Sequence, residues 1–265
     1  MLIQENFIEY QGSRLHYAKA GLGPTPLLIF HGFGQDHQVF EHWVQTLEKD
    51  YRLYVFDLYF HGQSTWPIRQ PLEKNEWRKI MTQFLEQEKI TFFEAAGFSL
   101  GGKFALATVE SFPEKVKKII LLAPDGIKTS FWYSLATYPI AMRNLFKSMV
   151  IKPGRFFALV KFLRPIGLVN KGILRFAESQ MDTEEKRRRV YYSWVYFRHL
   201  RFDIPQMVTL LNQFKIPLLL IVGKYDKVIP VKNMERLTKR LDQKQVEIIE
   251  SGHNDLVKNA LKFIS

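Results

Sequence analysis

Short apolar runs alternate with amphipathic segments along most of this chain. Continuous runs such as residues 27–30 and 218–222 are typical of strands buried on both faces of a parallel sheet. The spacing of Val39, Trp43 and Leu47 is typical of one face of an amphipathic helix. After an opening hairpin over 6–19, the predicted strands are 27–30, 51–56, a run ending at 98, 116–122, 218–222 and 246–249. The predicted helices are 38–49, 75–87, 102–112, 231–241 and one that begins after residue 253.

Strands that alternate with helices predict an α/β fold with a mainly parallel central sheet and helices on both faces. The alternation stops after the sixth core strand, and residues 127–212 have a helical pattern without convincing strands. We therefore predict a core formed by residues 1–126 and 213–265, interrupted by a helical cap (lid) over 127–212. The cap is expected at the carboxyl edge of the sheet, where ligand sites form in such folds.

Composition narrows the class of protein further. The 265 residues are 46% hydrophobic and include no cysteine, which excludes disulfides, thiolate metal sites and a cysteine nucleophile. Residues 1–10 lack the apolar stretch of a signal peptide, and no window has the roughly 18 apolar residues of a membrane span. We expect a soluble, cytoplasmic protein.

The strongest chemical motif is Gly97-Phe98-Ser99-Leu100-Gly101, which lies between a predicted strand and a predicted helix. This is the G-x-S-x-G pattern in the setting that a nucleophile elbow requires. On so tight a turn, a Cβ at residue 97 or 101 would clash with the neighbouring backbone. Ser99 is the candidate nucleophile, and the N–H of Leu100 is a candidate donor to an oxyanion.

A serine hydroxyl needs a base to remove its proton. His253 is the best placed of the seven histidines, because it directly follows the last predicted strand. The flanking glycines suggest a structural role for His31, and His61 is expected to bond loop carbonyls. We expect the remaining four to be solvated or packed: His16, His37, His42 and His199.

At these residues the sequence resembles the α/β-hydrolase superfamily, and specifically its lidded, serine carboxylesterase-like members. The resemblance covers about two thirds of the chain. It is carried by the elbow, the 31–34 turn His-Gly-Phe-Gly, the 57–64 stretch from Asp57 to Ser64, Gly223-Lys224-Tyr225-Asp226 and Gly252-His253. The order nucleophile, acid, base is the order that this superfamily uses.

The resemblance implies the remaining groups of the site. It assigns the triad acid to Asp226, with Asp125 as the competitor because some members place the acid after the preceding core strand. It assigns the second oxyanion donor to the N–H of Phe33. Asp36 and Asp57 are interpreted as turn residues.

The implied reaction is hydrolysis of a carboxylic ester through an acyl-enzyme, without a metal or organic cofactor. Thioester hydrolysis and cleavage of a carbon–carbon bond beside a carbonyl use the same triad and stay open. A serine at residue 99 argues against the haloalkane dehalogenases and epoxide hydrolases, relatives that carry aspartate there. A non-catalytic ligand-binding protein of the same fold is the alternative from another class, and it would normally have an incomplete triad.

The predicted cap carries most of the positive charge. Fifteen basic and five acidic residues lie between Lys128 and Asp203, a net +10 of the chain's formal +12. One interpretation is a set of amphipathic helices with solvated basic faces. The other is attraction of an anionic partner, either a membrane surface or an acidic acyl carrier, beside a small-molecule ester or acyl substrate. No nucleic-acid-binding motif accompanies the charge.

Overall fold

The computed structural model describes residues 3–163 and 178–264 of the chain. Residues 164–177 lie outside the described residues. All of them belong to the predicted cap, and they include three of its fifteen basic residues, Arg164, Lys171 and Arg175, and the aromatic Phe176. In the described ranges, none of the helices combines the length and the apolar character that crossing a bilayer requires.

A single eight-stranded sheet forms the centre of the described structure. Its strands are β1 Gln4–Tyr10, β2 Ser13–Ala20, β3 Thr25–Phe30, β4 Tyr51–Phe56, β5 Phe93–Phe98, β6 Val116–Leu122, β7 Leu218–Gly223 and β8 Lys244–Ile249. The strand order is β1-β2-β4-β3-β5-β6-β7-β8. Only the β1–β2 and β2–β4 pairs of this sheet are antiparallel, and every other pair is parallel. The predictions of an opening hairpin and a mainly parallel sheet are confirmed.

The helices of the larger part of the chain follow the predicted alternation. They are α1 Glu41–Leu47, α2 Lys74–Gln87, α3 Gly101–Ser111, α8 Ile204–Gln213, α9 Glu235–Thr238 and α10 Leu256–Ala260. Between residues 126 and 203 the described helices are α4 Phe131–Thr137, α5 Ile140–Ile151, α6 Gly154–Leu163 and α7 Glu184–Tyr196. Two predicted helices are shorter than expected, because 3-10 turns at His37–Phe40 and Val231–Met234 replace their first residues.

Helices cover both faces of the sheet. Alternate residues of a strand point to opposite faces, so Ile29 and Phe30 of β3 have different neighbours. Ile29 belongs to a buried cluster with Trp43 of α1 and with α10. On the other face, the ring of Phe30 lies 5.8 Å from that of Trp77 in α2 and 6.3 Å from that of Phe104 in α3.

The chain divides into two compact units. The larger unit contains Met1–Lys128 and His199–Ser265, and the smaller unit contains Thr129–Arg198. The predicted cap of residues 127–212 is longer than the smaller unit, since α8 belongs to the larger one, and its role as a domain stays a prediction. Within the smaller unit, the ring of Phe146 in α5 lies 5.4 Å from that of Tyr191 and 5.8 Å from that of Trp194 in α7.

Candidate active site

Ser99 occupies the turn between β5 and α3. Its φ of +49° lies in the left-handed region that side chains rarely adopt. Three backbone hydrogen bonds hold this strained residue: its N–H donates to the carbonyl of Leu122 (2.9 Å), and its carbonyl accepts from the N–H groups of Gly102 (2.9 Å) and Asp125 (2.8 Å). The turn therefore fixes the direction of the Ser99 hydroxyl through bonds to β6, to α3 and to the loop that follows β6.

The glycines around Ser99 are required by backbone crowding. A Cβ built on Gly97 would lie 2.5 Å from the carbonyl oxygen of Gly101. One built on Gly101 would lie 2.0 Å from the carbonyl oxygen of Phe30 in β3. These contacts are with backbone atoms, which cannot rotate away as a side chain can. The prediction that residues 97 and 101 have no room for a side chain is confirmed.

His253 lies in the loop that follows β8, and its imidazole reaches the serine. Its Nε2 is 3.0 Å from the Oγ of Ser99. The ring of Phe98 packs beside the imidazole at a centroid distance of 5.0 Å. The carbonyl of Ser251, in the same loop, accepts the N–H of Tyr225 at 3.1 Å, which joins this loop to the one that follows β7.

Asp226, in the loop after β7, contacts the other side of the imidazole. Its Oδ2 lies 2.6 Å from the Nδ1 of His253, and its side chain has no exposed surface. Its Oδ1 accepts the backbone N–H groups of Val228 and Ile229, each at 2.8 Å. Because a carboxylate can only accept, we assign the proton to Nδ1, which leaves the lone pair of Nε2 directed at Ser99.

Asp125, the competing candidate for the acid, has a different partner. Its Oδ2 lies 3.1 Å from the Nζ of Lys103, a lysine of α3 that is only 5% exposed. Its Oδ1 accepts the N–H of Gly126 at 2.7 Å. The structure thus joins Asp226 to His253, whereas it joins Asp125 to Lys103.

Comparison with known proteins identifies the fold. A family profile described as alpha/beta hydrolase fold matches residues 25–153. The chain is 27% identical to a poly(3-hydroxyalkanoate) depolymerase of Ectopseudomonas oleovorans, over 89% of this chain and 80% of that protein. It is 24% identical to a pimeloyl-[acyl-carrier protein] methyl ester esterase of Nitrosomonas europaea, over 95% of this chain and 97% of the relative.

A solved structure has the same fold. A thermophilic esterase from Thermogutta terrifontis superposes with a TM-score of 0.69 at 19% identity, and the match covers 98% of this chain and 96% of that one. The chain has the α/β-hydrolase fold, and its sequence is similar to α/β hydrolases. Its assignment as a hydrolase therefore holds at the level of the family.

In this α/β hydrolase, His31 is a structural residue of the turn after β3. Its Nε2 accepts the N–H of Leu58 at 2.9 Å, so its Nδ1 carries the proton that is donated to the carbonyl of Gly32 at 2.7 Å. Complete burial lowers the pKa of His31 to about 4 and keeps the ring neutral. His61 bonds the carbonyl of Tyr59 at 3.0 Å, as expected for a loop histidine.

The two predicted oxyanion donors come from different elements. Leu100 is the residue that immediately precedes α3, and it already has helical backbone angles. Phe33 follows Gly32, whose own N–H donates to the Oε1 of Gln35 at 3.0 Å. The role of the N–H groups of Leu100 and Phe33 in binding an oxyanion stays a prediction.

Asp57, interpreted from the sequence as a turn residue, is the centre of a buried polar cluster. Its Oδ1 accepts the backbone N–H (2.7 Å) and the Nδ1 (3.0 Å) of His37, and its Oδ2 lies 2.8 Å from the Nδ1 of His16 and 2.9 Å from the N–H of Gln63. Burial alone would raise the pKa of Asp57, but these hydrogen bonds outweigh it and hold the pKa well below its usual range. In the sequence, the feature that pointed to Asp57 was its position directly after a buried strand.

The same cluster is the one place in residues 3–163 and 178–264 where three metal-ligating groups converge, with ligand atoms within 4.8 Å of one another. Both carboxylate oxygens of Asp57 already accept two N–H groups each. A metal ion would have to displace these donors, so the arrangement fits a structural anchor better than a metal centre.

Proposed function

We propose that this α/β hydrolase cleaves a carboxylic ester through an acyl-enzyme on Ser99, with His253 as the general base and Asp226 as the acid that orients it. The observation that carries the proposal is the pair of hydrogen bonds through one imidazole, 3.0 Å to the Oγ of Ser99 and 2.6 Å to the Oδ2 of Asp226. Both distances lie within the reach of proton transfer.

In the proposed acylation, the Oγ of Ser99 bonds to the ester carbonyl carbon while its proton passes to the Nε2 of His253. The buried carboxylate of Asp226 stabilises the imidazolium that forms. The N–H groups of Leu100 and Phe33 would donate hydrogen bonds to the carbonyl oxygen as negative charge develops on it. Collapse of the intermediate breaks the bond to the alcohol, which takes the proton from Nε2.

Deacylation repeats these steps with water as the nucleophile. His253 removes a proton from the water as its oxygen bonds to the acyl carbon. The Oγ of Ser99 then leaves and recovers a proton from Nε2. No step requires a group other than the substrate, water and these residues.

An ester is the substrate class that the relatives favour. The Nitrosomonas relative is named as a methyl ester esterase, and the Thermogutta structure is described as an esterase. Thioesters, and carbon–carbon bonds beside a carbonyl, can be cleaved by the same three groups. Turnover of those substrates without turnover of any ester would change the proposed substrate and keep the proposed machinery.

A fluorophosphonate probe tests the nucleophile directly. The wild type should be labelled, and Ser99→Ala should not, because the probe needs an activated hydroxyl. Ser111→Ala is a matched control, since the Oγ of Ser111 bonds the carbonyl of Ala107 in the same helix. Labelling that persists in Ser99→Ala would overturn the proposal. A p-nitrophenyl ester series of increasing acyl length would then measure the chain-length preference.

We propose in addition an anionic partner for the basic part of the chain. Support comes from the net charge of +10 between Lys128 and Asp203. The two candidates are an anionic membrane surface and an acidic acyl carrier. The name of the Nitrosomonas relative, an esterase of an acyl-carrier-protein ester, supports the second. The protein should be retained at low salt and released at high salt either by anionic vesicles or by an immobilised acyl carrier. The material that retains it identifies the partner.

A further inference from the structure

The most conspicuous basic run of the chain is not a surface of unpaired charge. Arg188 bonds Glu184, Arg189 bonds Glu185 and Lys186 lies near Asp182, each one helical turn apart. The guanidinium of Arg187 donates to three carbonyl groups instead: those of Val150, Met181 and Asp182. Local acidic groups and carbonyls therefore already bind the cations of residues 186–189.

The cations of α5 and α6 are different. No acidic residue occurs anywhere between Asp125 and Glu178, whereas nine basic residues do. Four of those nine are exposed on these helices or in the link between them: Lys147, Lys152, Arg155 and Lys161. None of the four forms an ion pair within the described ranges.

The same two helices expose large apolar side chains. On α5, Ile140 is 68% exposed and Ile151 is 66% exposed. At 100° per residue they lie on one face with Lys147, opposite the buried residues Phe146 and Met149. On α6, the exposed apolar residues are Phe157, Leu159 and Phe162.

Exposed aliphatic and aromatic side chains among unpaired cations are the signature of a helix that lies in the headgroup region of an anionic bilayer. The apolar groups leave water, and the cations meet lipid phosphates. An acidic carrier protein would use the cations but would leave most of this apolar area without a partner.

We propose that the exposed residues of α5 and α6, here called the α5–α6 surface, dock on a membrane surface that contains anionic lipids. This inference rests on the proposed anionic partner. It assigns that partner to the α5–α6 surface and not to the basic run at residues 186–189.

Vesicle sedimentation tests the proposal. The wild type should pellet with vesicles of phosphatidylcholine and phosphatidylglycerol, but not with phosphatidylcholine alone. Binding should weaken between about 0.01 M and about 1 M salt, as the screening length falls from about 30 Å to about 3 Å. Ser99→Ala should bind as the wild type does, so the hydrolase proposal and the docking proposal can fail separately.

Two double variants locate the surface. Each basic side chain near an anionic leaflet tightens binding roughly fivefold, so Lys147→Gln with Lys152→Gln should weaken vesicle affinity about 30-fold. Arg188→Gln with Arg189→Gln removes the same charge from paired cations, and it should weaken affinity no more than about threefold. Circular dichroism and the melting temperature verify that each variant is folded.

A third variant tests the contribution of the exposed apolar side chains to binding. Ile140→Ser with Ile151→Ser should weaken binding roughly tenfold or more, because each change removes carbon atoms that the bilayer would cover. Equal losses in the two charge variants, equal pelleting with neutral vesicles, or no pelleting at all would overturn the docking proposal. So would retention on an immobilised acidic carrier protein without binding to vesicles, which would identify a protein partner.

Discussion

Replacing Asp226 by asparagine should invert the tautomer of His253. The Oδ1 of Asp226 accepts two backbone N–H groups at 2.8 Å, so an asparagine must keep its oxygen at that position. Its amide NH₂ then replaces Oδ2, which lies 2.6 Å from the Nδ1 of His253. Because NH₂ can only donate, Nδ1 must lose its proton and Nε2 must carry it. The nitrogen that faces Ser99 can then no longer accept a proton.

The structure also gives the size of the effect. Turning the amide over would restore the tautomer, but it would break the bonds to the N–H groups of Val228 and Ile229. Each broken bond costs about 1–3 kcal/mol, and two together correspond to a reduction of the productive form by roughly 30-fold to 30,000-fold. The loss of the charge that stabilises the imidazolium adds to this. We expect kcat to fall about 10,000-fold, the loss known for the same change in a Ser-His-Asp triad.

Steady-state turnover of p-nitrophenyl acetate and the rate of fluorophosphonate labelling measure the loss. The control is Asp125→Asn, since Asp125 lies beside Lys103 and not beside the base, and it should lower kcat by less than about tenfold. The ring nitrogens of His253, observed by ¹⁵N NMR, should report the shift of the proton to Nε2 in Asp226→Asn. A loss of less than tenfold in Asp226→Asn, or a larger loss in Asp125→Asn, would refute the assignment of the acid.

Three further predictions concern stability, each measured by urea unfolding. Gly101→Ala should cost about 3 kcal/mol or more, because its Cβ would lie 2.0 Å from a carbonyl oxygen of β3. Thr108→Val should cost about 1–3 kcal/mol, because it leaves the buried indole N–H of Trp77 without the acceptor that now lies at 3.0 Å. The folded pKa of His31, about 4, lies below its ordinary value of 6.5, so the unfolded chain binds more protons between these pH values and stability should fall as the pH drops through them. Its share of that fall should be about 3 kcal/mol, and His31→Gln should flatten the pH dependence.

Matched variants decide whether these effects have the stated causes. Gly252→Ala places a Cβ in open space, so it should change stability by no more than about 0.5 kcal/mol. Thr82→Val removes the bond that the Thr82 hydroxyl donates to the carbonyl of Arg78, on a partly exposed face of α2. It leaves no buried donor without an acceptor, so it should cost less than Thr108→Val. An unchanged pH slope in His31→Gln would show that other groups cause the acid sensitivity.

The sequence predicted the elements that position the candidate site, because each depends on a local pattern. The continuous apolar run 218–222 matches the buried strand β7, and the glycines at 97 and 101 mark a turn that has no room for a Cβ. Such features need only the identity of neighbouring residues. The order of the strands in the sheet, by contrast, depends on pairings between distant segments, and no local pattern specified it.

The sequence did not predict the polar groups whose partners are distant. Asp57 was interpreted as a turn residue, since an aspartate after a strand usually ends it; its partner His16 is 41 residues away. The ion pair between Lys103 and Asp125 was not predicted, because a lysine on a helix is normally exposed. In both cases a buried charged side chain is paired with a residue that is distant in sequence, and sequence spacing alone cannot reveal such a pair.

The number of basic residues in a segment does not show which of its charges are already paired in the structure. The run Lys186-Arg187-Arg188-Arg189 is the densest basic stretch of the chain, and counting charges alone would make it the binding surface. Its neighbours Asp182, Glu184 and Glu185 are spaced so that each reaches a cation one turn later in the helix. The sparser cations of α5 and α6 have no acidic neighbour, so more of their field extends into solvent. We therefore base the proposed position of the anionic partner on where acidic residues are absent and not on where basic residues are densest.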